Sequence, residues 1–85
     1  MELTQDEFTI LEIVVEAGDI HYLAILGQIR DNAIAIGKEY ISQEDFNFAL
    51  EKLEDYHLIE RRRKLIEPER YFITDEGRNL IVQGN

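Results

Sequence analysis

Four consecutive bases, Arg61-Arg62-Arg63-Lys64, are the side chains of this sequence best suited to chemistry, and that chemistry is the holding of an anion. Neighbouring residues of a strand alternate between its faces, so about two of the four would share each side. Arg70, on a partner strand, would join them, and arginine suits phosphate or a narrow minor groove. Two plainer readings stand beside this one. Charges on an edge strand deter edge-to-edge pairing, and these bases could neutralise the acidic helices of the same chain.

Catalytic constellations are missing. His21 and His57 stand 36 positions apart, with no spacing that would make them metal ligands, and are read as packed or solvent-facing. Ser42 is the only serine, and a helix cap explains it. The acid pairs Asp6/Glu7, Glu44/Asp45 and Glu54/Asp55 fall on exposed helix faces, where they are solvated charges rather than an acid and base couple. There is no glycine-rich phosphate loop. No cysteine is present, which removes a disulfide, a thiolate zinc site and a thiol nucleophile. The expectation is a protein that is not an enzyme and that carries no cofactor and no metal.

Charge divides the chain. Residues 1–60 carry three bases against fourteen acids, a net of −11, while residues 61–85 carry six bases against four acids, a net of +2. The whole is −9, which argues against a general nucleic-acid binder, so any anion-binding role falls to the last third. The acidic opening lacks the layout of a signal peptide. The longest apolar run is five residues, Tyr22 to Leu26, against a membrane span of about 20. No membrane association and a cytoplasmic location are expected.

These residues need elements to hold them. No repeat or linker divides the 85 residues, so residues 1–85 are read as a single domain. Thr4 and Glu7 have capping-box spacing, and Leu3 with Phe8 forms a hydrophobic staple, opening a first helix that Gly18 ends. Asp19 is the expected cap of a second helix through Tyr22, Leu23, Leu26 and Ile29, with Gly27 costing about 1 kcal/mol inside it. Ser42 caps a third helix, with Ile41 and Phe46 as its staple. That helix is expected to bury Phe46, Ala49, Leu50, Leu53 and His57 and to expose Gln43, Glu44, Asn47 and Glu51.

Residues 58–64 and 70–74 then read as two short strands, with the only proline, Pro68, in the turn between them. Thr74 caps a short final helix whose first turn holds Asp75 and Glu76. The apolar residues Ile20, Tyr22, Ile25, Ile34, Ile36, Phe48, Leu65 and Ile66 exceed what a three-helix core can absorb and point to association. The stretch 33–36 is either exposed or tucked in as a strand beside the hairpin. The fold class is therefore α+β, a winged helix-turn-helix of three helices, a two-stranded wing hairpin and a short C-terminal helix.

The run from Ser42 to Glu54, with its Ala49-Leu50 pair and later Leu53-Glu54, followed by Leu58-Ile59-Glu60, resembles the third helix and first wing strand of PadR-like regulators. Tyr71-Phe72-Ile73-Thr74-Asp75-Glu76-Gly77 resembles the tyrosine–aliphatic–threonine–x–x–glycine exit of many winged-helix regulators. The resemblance covers about residues 4–82. It implies a homodimeric transcription repressor whose third helix enters the major groove and whose wing touches backbone or minor groove. On that reading the DNA contacts are Gln43, Asn47, Arg61, Arg62, Arg63, Lys64 and Arg70, weighted toward the wing, with the amides of Gln43 and Asn47 pairing with adenine edges through two hydrogen bonds. Asp45 and Glu51 depart from the family pattern, and residues 43–57 carry a net of −4. The alternative is a protein–protein interaction module that uses this acidic third helix and binds no DNA.

Overall fold

Thr4 begins the first helix as its spacing predicts. Its Oγ1 accepts from the Glu7 N–H at 3.1 Å, and Glu7 Oε1 accepts from the Thr4 N–H at 2.8 Å. The structure, a computed structural model, describes residues 2–62 and 69–83. Helix α1 spans Gln5–Ala17 and buries Ile10, Leu11 and Val14 completely. It ends on Gly18, whose φ of 75° belongs to the left-handed region that glycine adopts without strain.

The next segment departs from expectation. Asp19 does not cap a helix. It opens a strand, β1 (Asp19–His21), and the cap of α2 (Tyr22–Ala35) is His21, whose Nδ1 accepts from the Ala24 N–H at 3.3 Å. The reason lies in the partners: β1 pairs antiparallel with the second wing strand, Ile20 turns into the core, and Asp19 is held by Arg70 at 2.7 Å. The hairpin, expected to have two strands, is thus part of a three-stranded sheet, with β2 (Ile59–Arg62) and β1 flanking a central β3 (Arg70–Ile73). The expected turn around Pro68 lies outside the described residues.

Helix α3 (Gln43–Asp55) starts on Ser42, whose Oγ accepts from the Asp45 N–H at 3.1 Å, and buries Phe46, Ala49, Leu50 and Leu53. His57, expected among those buried residues, lies beyond the helix, exposed, with φ 59°. Its N–H donates to the Glu54 carbonyl at 2.9 Å, and the Leu58 N–H donates to the Leu53 carbonyl at 3.0 Å. This pair of bonds is the Schellman closure, which puts its left-handed residue at position 57.

Thr74 caps α4 (Asp75–Gln83), accepting from the Gly77 N–H at 3.0 Å. The Thr74 hydroxyl lies 2.7 Å from the His57 carbonyl and 2.9 Å from that of Leu58. A Cβ on Gly77 would stand 2.1 Å from the Leu58 carbonyl oxygen, so this approach requires glycine.

The core joins α1, α2 and α3 to the inner face of the sheet through Ile20, Leu58, Ile59 and Tyr71. Of the apolar residues expected in excess, Ile20 and Ile25 are core and Tyr22 is half-buried, while Ile34, Ile36 and Phe48 are exposed. Leu65 and Ile66 lie outside the described residues. The stretch 33–36 ends α2 in the open, and the strand beside the hairpin is β1 instead.

Candidate nucleic-acid interface

The exposed side of α3 carries Gln43, Glu44, Asn47, Phe48 and Glu51. Helical spacing places Gln43 and Asn47 together, and Tyr22, singled out from the sequence only as a surplus apolar residue, ties them. Its hydroxyl donates to Asn47 Oδ1 and accepts from Gln43 Nε2 at 3.4 Å. The Tyr22 ring meets the buried Phe46 ring edge-on, with centroids 5.2 Å apart. No spacing signal pointed to Tyr22, which reaches these residues from 25 and 21 positions away.

The strand register separates the wing bases. Arg62 pairs with Arg70, and Arg61 with Tyr71. Because faces alternate, Arg62 and Arg70 share the outer face with Asp19, Glu60 and Phe72, while Arg61 lies on the inner side toward α3. Arg70 therefore joins Arg62 and not Arg61. Arg63 and Lys64 lie outside the described residues.

Each of the three described wing arginines meets a carboxylate of the same chain. Arg61 reaches Glu54 of α3 at 3.3 Å and Glu69 at 3.7 Å. Arg62 lies 3.6 Å from Glu60 and stacks over the Phe72 ring, 4.5 Å from its centroid. Arg70 Nε contacts Asp19 at 2.7 Å. Such exposed pairs contribute about 0.2–1 kcal/mol each. They are weak enough to exchange for a phosphate, and of their four acids only Glu54 belongs to one of the acidic helices that the wing was expected to neutralise, the others lying in or beside the sheet.

Between α2, α3 and the sheet lies a cleft of about 470 Å³, lined among others by Tyr22, Asn47, Glu51, Glu54, Arg61 and Tyr71. It brings the exposed edge of α3 and one wing arginine onto one surface. Tyr71 is buried beneath it and donates to Glu69 at 3.2 Å, and burial together with the Glu69 charge raises its pKa. On the far side of α3, Lys52 meets the buried Glu7 at 3.0 Å. Burial alone would raise the Glu7 pKa, but hydrogen bonds from Thr4 and Lys52 and the Lys52 charge lower it overall. Among the described residues no cluster of His, Asp and Glu could hold a metal, and no helix is long and apolar enough to cross a membrane.

No protein-family model matches the chain, and no curated protein matches it in sequence. Solved structures do match. RosR of H. salinarum superposes with a TM-score of 0.79 at 23% identity, covering 98% of this chain and 71% of that one. A PadR family transcription regulator from hypervirulent Clostridium difficile R20291 gives 0.77 at 19% identity, covering 95% and 83%. NadR in complex with 4-hydroxyphenylacetate gives 0.71 at 21% identity; there this chain spans 52% of the longer molecule. At these identities the likeness is one of fold, and the chain has the winged-helix fold of these regulators.

Proposed function

We propose that this chain is a transcription regulator of the winged-helix type that contacts DNA with the exposed edge of α3 and with its basic wing. The observation that carries the reading is the shared cleft: Asn47 and Arg61 line one surface. Gln43 and Asn47 present amides to base edges. Arg61, Arg62 and Arg70, with Arg63 and Lys64 between the strands in sequence, supply cations to phosphates. Arg62 and Arg70 are direct cross-strand partners, and like charges so placed repel, a cost that a phosphate between them would relieve. Two copies acting together would set two α3 helices about one turn of DNA apart. The mechanism requires no cofactor and no catalysis.

The test is a fluorescence-anisotropy titration with duplex DNA at low salt, native chain against Arg61→Ala/Arg62→Ala/Arg63→Ala. The reading expects binding that weakens with salt and a triple variant whose salt slope is lower by about 2–3. Equal binding by the variant, or none by the native chain, overturns it.

A second reading is favoured by a separate observation. The exposed face of α3 places Phe48, 68% accessible, beside Glu44 and Glu51. A surface of that composition suits a basic, apolar protein partner. On this reading α3 docks protein and no DNA is bound. Phe48→Ala would then abolish partner capture, whereas the DNA reading expects that variant to keep its salt slope.

A further inference from the structure

Tyr22 opens α2 and is held from two sides. Its backbone N–H donates to the Glu69 carbonyl at 3.0 Å, and its ring stands edge-on to Phe46, which is fully buried. A ring so fixed gives its hydroxyl a defined place. That hydroxyl engages the oxygen of Asn47 and the nitrogen of Gln43.

An amide side chain has an acceptor edge and a donor edge, and in free solution either can face outward. With its oxygen turned to Tyr22, Asn47 directs the Nδ2 donor away. With its nitrogen turned to Tyr22, Gln43 directs the Oε1 acceptor away. The exposed pattern is one donor beside one acceptor. In the major groove adenine offers an acceptor, N7, beside a donor, N6. Guanine offers two acceptors there, cytosine a donor, and thymine an acceptor with a methyl group.

We infer that Tyr22 is a positioning residue that sets the base preference of α3, orienting Asn47 and Gln43 to read one adenine jointly. This rests on the DNA-binding reading and sharpens it. It also replaces the sequence expectation that each amide reads an adenine alone, since Tyr22 occupies one edge of each.

Tyr22→Phe keeps the ring, the Phe46 contact and the backbone bond, and removes only the hydroxyl. The first measurement uses no DNA: NMR of the side-chain NH2 groups of residues 43 and 47. In the variant these resonances are expected to move toward random-coil positions while core backbone resonances stay. Unmoved resonances overturn the inference even if DNA is bound. The second measurement selects sites from randomised duplexes, then compares affinity for the selected site with that for an adenine-to-guanine change. The variant is expected to lose about two- to tenfold of the native discrimination at an unchanged salt slope. Selection without adenine preference, or full discrimination by the variant, overturns the inference. A native chain that binds no duplex at low salt fails the DNA reading itself and takes the base preference with it.

Discussion

Arg61 Nε lies 3.3 Å from Glu54 Oε1, so the inner arginine of the wing is tied to the helix whose exposed edge it would serve. The pair links α3 to β2 and puts a carboxylate in competition with any phosphate. Glu54→Gln removes that competitor and leaves Arg61 in place. An exposed pair of this kind accounts for about 0.2–1 kcal/mol, so the variant should bind duplex DNA up to about fivefold more tightly at low salt. The gain should vanish in high salt. Anisotropy titrations at two ionic strengths check this, and weaker binding by the variant would contradict it.

Gly77→Ala should destabilise the fold sharply. Its Cβ would fall 2.1 Å from the Leu58 carbonyl oxygen and 2.7 Å from Ile73 Cδ1, and the first of these is backbone that cannot step aside. Overpacking of this sort costs about 1–3 kcal/mol. Urea denaturation should show a lower midpoint at unchanged slope, and a stability equal to the native one would refute the account of the threonine–glycine corner.

Two substitutions should stabilise. His57 occupies a left-handed position, at φ 59°, that glycine fills without strain, so His57→Gly should add about 1 kcal/mol. Gly27 lies inside α2 with open space around it, so Gly27→Ala should add about 0.5–1 kcal/mol. The two sites lie on different elements, inside α2 and past the end of α3, and thermal unfolding of the double variant should show nearly additive gains.

Stability should fall at both extremes of pH. The Glu7 pKa is lowered in the fold, so the unfolded chain holds its proton more tightly. The contribution of Glu7 is full above about pH 4.3, its unfolded value, and is lost as pH falls through the folded value. The Tyr71 pKa is raised, by burial first and by Glu69 next. Its contribution is full below about pH 10 and is lost as pH rises toward the folded value. Glu7→Gln should flatten the acid limb of a stability–pH curve, and Tyr71→Phe the alkaline limb. Limbs that keep their slopes in these variants would assign them to other groups.

The helix starts were legible because their signals are local. Thr4 with Glu7 and Ser42 with Asp45 lie three residues apart, and capping acts over that distance. Strand β1 was not legible: three residues cannot display a period of two, and Asp19 beside a helix looks like a cap. What decides its state is Tyr71 and Phe72, some fifty residues away. The candidate site divides in the same way. Gln43 and Asn47 share a face by periodicity, whereas Tyr22, which joins them, and Glu54, Glu69 and Asp19, which meet the wing arginines, arrive only through tertiary packing. His57 was misread because a Schellman closure more often announces itself with glycine.

Strand β1 and the bond from the Tyr22 N–H to the Glu69 carbonyl make the arm a joint property of two distant stretches of sequence. An engineer exchanging this arm for one with other preferences would find residues 59–73 insufficient as a cassette. The graft must carry residues 19–22 along, or the new ribbon loses a neighbour and the second helix its moorings.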